Sequence, residues 1–386
     1  MNWLAGKRFD LTLFHFPVWL CWAAAFLMPE AWRQAPVPTW VWVCFVLGVD
    51  VGHVWSSIYR TYLDPDARVH HRWLLRLLPI ACYLPLLALA LHSDQLFWRV
   101  LAYVAVFHFI KQQVGIAALY RYRHLQGLPN LEPVWKHRLG QLDKLTVYAG
   151  TVCPMVYWHF SPDRQFNWFI PNDFIFLDAI PAYLSGLPGG EGLILLGKAV
   201  FFLVWFGLPL LWLVVHLWLS HRQTLTFPLG KFLWVFGTWA NWYLGIVHFD
   251  SDLVFTITNV VAHGVPYYAL IGLYSLRKAE HRGYGRGLPA VPAQTMARIA
   301  YAGVFLLPIL LLALGEEYLW NFLIYRDFGD FFEALWAYPM EAVAHPGIRA
   351  ALIALLSMPQ VLHYLLDGFI WKFNHRNPDL RNYLFP

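Results

Sequence analysis

Residues 43–59 read VCFVLGVDVGHVWSSIY, an apolar run interrupted by Asp50 and His53. With its apolar neighbours from position 38 it is long enough to cross a bilayer as a helix, which takes about 20 residues. A carboxylate and an imidazole inside such a run are expensive in hydrocarbon, and residues of that kind are kept there when they do something. Their spacing of three puts both side chains on one helix face.

Apolar runs of this length recur at 11–29, 38–57, 74–92, 97–119, 145–160, 192–219, 232–249, 253–275, 299–315 and 349–371. They predict an all-α, polytopic membrane helical bundle of about ten transmembrane helices. Composition agrees. Of 386 residues 59% are hydrophobic, 18% aromatic and only 13% charged, against about 25% charged in a soluble domain. A soluble enzyme, a disordered chain and a fibrous rod are excluded. Cys21, Cys44, Cys82 and Cys153 each sit in apolar surroundings with no CxxC pair, so neither a disulfide framework nor a zinc ribbon is expected. The chain, 1–386, reads as a single membrane domain. The aromatic stretch 161–191 and the mixed aromatic and acidic stretch 318–343 read as outer-face caps or interfacial segments.

Loop charge orients the spans. With both termini cytoplasmic, the inner segments 1–10, 58–76, 120–144, 220–231, 276–298 and 372–386 hold 21 of the 28 Lys and Arg residues. That is the positive-inside pattern, and it predicts a multi-pass cell (inner) membrane protein. The net charge of +5 then belongs to those loops, and no nucleic-acid partner is needed to explain it.

Seventeen histidines are more than membrane residence accounts for. Several lie inside spans with a polar partner three or four residues away: Asp50 and His53 in DVGH, His108 and Gln112 in HFIKQ, Asn259 and His263 in NVVAH, His363 and Asp367 in HYLLD. Counting 1.5 Å per residue from the loops, these pairs fall in one layer in the cytoplasmic half, with His216 near it. Imidazole and carboxylate are ligands of iron, zinc and manganese. Helices of a bundle can present them inward at this spacing. Asp50, His53, His108, His216, His263, His363 and Asp367 are therefore the candidate metal ligands. So many donors favour two ions. Gln112 and Asn259 are expected to orient the reacting groups by hydrogen bonds. Lys111 is expected to act as counter-ion or to contact a substrate headgroup.

Helical histidine motifs on the cytoplasmic side resemble the histidine-rich integral-membrane di-iron oxygenases and desaturases. The HxxxH and HxxHH boxes of the fatty-acid desaturases are absent. FHFIKQQ at 107–113 and AHGVPY at 262–267 are similar to segments of the Brp/Blh-type carotenoid-cleaving dioxygenases. The resemblance implies iron, with two ions expected, dioxygen, and a lipid or other apolar substrate from the bilayer that is hydroxylated, desaturated or oxidatively cleaved. A ferredoxin or flavodoxin-like electron donor would dock on the basic cytoplasmic face. Two other readings stay open at this point. One is a zinc-dependent intramembrane hydrolase of the ceramidase-like kind. The other is a transferase or transporter that uses His and Asp without metal.

Overall fold

The computed structural model describes residues 2–128, 131–222, 224–282, 295–334 and 343–385. Helices dominate these residues, and no strand occurs among them. Ten longer helices carry the fold among the described residues: α1 (Lys7–Leu27), α2 (Thr39–Arg60), α3 (Arg72–His92), α4 (Asp94–Gln126), α5 (Pro133–Phe160), α6 (Gly190–His221), α7 (Leu229–Trp242, widened into π turns over Tyr243–His248), α8 (Asp252–Ala279), α9 (Ala302–Tyr325) and α10 (Pro346–Ile370). All except α5 and α7 are long and apolar enough to cross a membrane. The N-terminal half of α5 carries Lys136, Arg138, Asp143 and Lys144, and α7 carries Lys231, Thr238 and Asn241. The chain is an all-α polytopic membrane protein, as its sequence predicts.

Local chemistry sets the helix ends. Pro133 opens α5 at its first turn, where a missing N–H is harmless. The Ser251 hydroxyl accepts the Val254 N–H at the start of α8. Leucines at 193, 195, 196, 203 and 210 of α6 face outward. An apolar surface of that extent suits lipid and not water.

The described residues fall into two compact units. The first holds 1–36 and 102–263. Its core joins Val106, Phe109 and Ile110 of α4 to Trp158 of α5, Trp242 of α7 and Phe255 of α8. The loop after α5 is held by carboxylates. Asp173 accepts the N–H groups of Trp168 and Ile170 at 3.0 and 3.3 Å. Asp250 accepts those of Gln165 and Phe166 at 2.7 and 2.9 Å. The second unit holds 37–101 and 264–386. Tyr59 of α2, Tyr267 and Ile271 of α8, and Phe305 and Ile309 of α9 form one of its cores. At the C-terminal end of α2 Arg60 donates to Asn377 Oδ1 and the Ile370 carbonyl at 2.8 and 3.0 Å.

The structure differs from the sequence reading at α5 and α7, which are not among the eight candidate spans of the described residues, and in the length of the ninth span. The ninth span does not stop at 315, because α9 continues to Tyr325 through Glu316 and Glu317. Residues 318–325 of the expected interfacial segment 318–343 are therefore the end of this helix, followed by a short turn of helix at Gly329–Glu333. Positions 335–342 of that segment lie outside the described residues. Two adjacent glutamates look like a membrane boundary in sequence. In the structure the Trp55 indole N–H donates to Glu316 at 2.6 Å, which gives one carboxylate a partner inside the helical layer.

Candidate metal centre

The second unit builds one histidine pair. Helix α2 winds in wide π turns over Trp42–Val51 and returns to α geometry at Gly52. Wide turns of this kind are frequent at functional sites. His53 follows at once, buried to 1% exposure, with Nδ1 3.2 Å from the Val49 carbonyl oxygen. A ring that donates from Nδ1 offers Nε2 as the ligand atom. Asp50 Oδ1 stands 3.7 Å from the same Nδ1, too far for a hydrogen bond. Helix α10 supplies His363, its ring 4.9 Å from that of His53 and nearly perpendicular to it. Tyr267 of α8 packs edge-on against both rings, at 5.6 and 4.9 Å. Its hydroxyl donates to Asp367 Oδ1 at 2.6 Å. Asp367 in turn lies 3.9 Å from His363 Nδ1.

Glycines let these helices approach. A Cβ on Gly264 would stand 2.6 Å from Val49 Cγ1 and 2.9 Å from the Val49 carbonyl oxygen. A Cβ on Gly52 would stand 2.0 Å from the Tyr268 hydroxyl, which donates to the Gly48 carbonyl at 2.9 Å. Each of these glycines is the sequence neighbour of a site histidine.

The first unit builds the other pair. His108 of α4 and His263 of α8 are both buried, with ring centroids 5.1 Å apart. The His263 ring lies flat on Phe109 at 3.7 Å. Gln112, one turn after His108, donates from Nε2 to the backbone carbonyl of His263 at 2.7 Å. Gln112 thus fixes the turn of helix that carries His263. Asn259 works differently. Its side chain exchanges hydrogen bonds with Asn241, accepting at 2.8 Å and donating to the Asn241 carbonyl at 3.2 Å. It joins α8 to α7 and positions His263 from one turn below.

Helix α8 carries members of both constellations. His263 and Tyr267 are four residues apart on it, a rise of about 6 Å. Among the described residues, His53, His108, His263 and His363 form a group of buried histidines that could hold a metal ion. The donor set is all imidazole and electrically neutral, which suits a low-dielectric site.

The remaining expected residues are elsewhere or otherwise engaged. His216 is fully occupied by a different cluster. Its Nδ1 faces the Trp212 carbonyl at 2.8 Å, and its Nε2 faces Lys231 Nζ at 3.1 Å. Lys231 also pairs with Asp143 at 2.9 Å, and the Trp212 indole donates to Asp143 at 2.7 Å. His216, expected as a ligand, sits in a buried cluster with Lys231 and Asp143 and is not one of the four grouped histidines. Lys111 is exposed, with its ammonium 5.9 Å from the Phe107 ring. Asp50 and Asp367 sit beside histidines, but neither belongs to the candidate ligand group.

Comparison with known proteins finds no matching family model, no matching curated protein and no matching solved structure.

Proposed function

We propose that this chain is a membrane-embedded, metal-dependent oxidoreductase whose iron is held by His53, His108, His263 and His363. The observation that carries the reading is the donor set: four buried imidazoles. A catalytic zinc site keeps one of four tetrahedral positions for water. Four imidazoles would fill all of them, so the set does not favour zinc hydrolysis. Iron takes further ligands beyond four and would keep positions open for dioxygen and substrate. Four donors suit one ion. A second iron would need carboxylate ligands, which in this reading Asp50 and Asp367 would supply.

The surroundings support an apolar substrate. In the first unit Phe109 stacks on His263, and in the second Tyr267 packs against His363; apolar neighbours of this kind would exclude water, which protects reactive oxygen species from side reactions. When bound, iron would supply activation of dioxygen for hydroxylation, desaturation or oxidative cleavage of a lipid or other apolar molecule. Hydroxylation and desaturation each draw two electrons from an external donor. A ferredoxin or flavodoxin-like protein at the basic inner face of a cell (inner) membrane would provide them. Cleavage that incorporates both oxygen atoms needs no donor.

The test is electron paramagnetic resonance of the iron-loaded, reduced protein exposed to nitric oxide. An iron–nitrosyl signal of spin 3/2 is expected, because it requires an open position on a ferrous ion. Tight stoichiometric zinc that iron cannot replace would refute the reading.

A further inference from the structure

Lys111 stands near the middle of α4, twelve residues after Arg99 and ten before Arg121. No other Lys, Arg, Asp or Glu lies between those two arginines. They are 22 residues apart, a rise of about 33 Å that matches the roughly 30 Å of hydrocarbon in a bilayer. Lys111 is therefore the midplane charge of a membrane-spanning helix. It lies about 15 Å along the axis from Arg121, further than its four-carbon stem can snorkel. Arg76, an exposed cation of α3, is by contrast one turn from the start of its helix.

The surroundings of Lys111 leave that charge unanswered. Its side chain is exposed, and its ammonium meets the Phe107 ring at 5.9 Å. Among the described residues no carboxylate pairs with it, so it is not an internal counter-ion. The face that carries it is open. Phe107, Lys111 and Gly115 are spaced by four and share that face. Phe107 is 61% exposed, and a Cβ on Gly115 would meet nothing within 4 Å. The same turn of helix belongs to the first unit's histidine pair. His108 is three residues earlier and buried, and Gln112, the next residue, donates to the His263 carbonyl at 2.7 Å. Gln113 is engaged inside the unit as well, where its Oε1 accepts the Thr238 hydroxyl at 2.9 Å.

A cation at the midplane is costly and is kept there for a partner. On an open face in lipid, that partner arrives sideways through the bilayer. We propose that Lys111 binds the carboxylate of a long-chain acid whose chain lies along this face of α4, beside His108. One ammonium neutralises one carboxylate, and the pair is strong where water is absent. A phospholipid phosphate fits less well. Its glycerol keeps it at the interface, about 15 Å away along the helix, and phosphate is better matched by the several donors of an arginine fork. From His108 to Lys111 the helix rises about 4.5 Å. An acid anchored here would offer the metal centre a carbon counted from its carboxyl end. That last step rests on the oxidoreductase reading, and the carboxylate site itself does not.

The test is equilibrium binding of radiolabelled oleic acid and oleyl alcohol to the full, metal-free chain in phosphatidylcholine nanodiscs. Empty nanodiscs supply the background, and the buffer is alkaline so that the acid is ionised. The wild type is expected to hold oleate saturably and more tightly than the alcohol. Lys111→Met is expected to weaken oleate binding about tenfold and to leave the alcohol unaffected. Lys111→Arg is expected to keep the preference for the acid, and Lys198→Met, on α6, to bind as the wild type does. Equal binding of acid and alcohol by the wild type overturns the site. So does a Lys111→Met protein that holds oleate as tightly as the wild type, or an equal loss in Lys198→Met. If Lys111→Met does not fold, Lys111→Gln gives the same reading, because the side chain is exposed. Metal content is expected to be the same in all these proteins after iron loading. A wild type that prefers oleate but takes up no metal contradicts the metal centre and supports this site. One that takes up iron without that preference does the reverse.

Discussion

A methyl group added at Gly264 would meet the backbone of Val49 at 2.9 Å, and a carbonyl oxygen cannot swing aside as a side-chain tip can. Overpacking of that kind costs about 1–3 kcal/mol. Gly264→Ala is therefore expected to lower the thermal midpoint and the metal content. Gly115→Ala, where nothing lies within 4 Å, is expected to change neither. Gln112→Leu removes the bond to the His263 carbonyl without adding charge. Loss of a group that orients a ligand typically weakens metal affinity about 10–100-fold, and a metal titration of the purified variant reads that loss. Both expectations concern residues with different visibility in sequence. Gln112 stands one turn from His108 in an apolar helix and is conspicuous. Gly264 and Tyr267 look like ordinary packing residues until the partner helix is in place. Glu316 was hidden by the opposite effect, since an acid pair reads as the edge of a membrane.

Elements differ in the same way. The apolar runs and the loop charges mark nearly every long helix, because the bilayer imposes length and composition on each one separately. The π turns at Trp42–Val51 and Thr256–Val260 leave no residue signature, yet each ends within a few residues of a site histidine. The contacts of His216 were also illegible. The spacing of Trp212 and His216 is visible, but Asp143 and Lys231 come from other helices. For that buried pair, removal of one partner leaves an uncompensated charge, worth about 3–5 kcal/mol. Asp143→Leu and Lys231→Met are each expected to destabilise the protein strongly. The double substitution should destabilise it less than either alone, measured by denaturant unfolding in micelles. The loop after α5 makes a pH prediction. Burial pushes the carboxyl groups of Asp173 and Asp250 above the ordinary carboxylate range, against the pull of their backbone N–H donors. The folded loop then binds these protons more tightly than the unfolded one. Its stability is greatest below the ordinary carboxylate pKa and falls as pH rises through the folded value. Amide hydrogen exchange at 165–173, corrected for intrinsic rate, should show protection that decreases over that window.

At the scale of the molecule, the fold class follows from one physical demand, that every backbone polar group in lipid be satisfied within its own helix. That demand is why the sequence alone predicts an all-α membrane protein. The candidate site was legible to the extent that polar residues have no cheap place in such helices. His53, His108, His263 and His363 stood out for that reason. Which histidines join, and which, like His216, serve another cluster, depends on helix neighbours that no local pattern encodes. The central claim is that the two histidine pairs hold one metal centre. The most direct measurement is the metal content of the purified full chain beside His53→Ala and His108→Ala, one from each pair. The account predicts bound iron in the wild type and its loss in both variants, with the helical content unchanged. A wild type that binds no metal, or a variant of either pair that keeps its full complement, would contradict it.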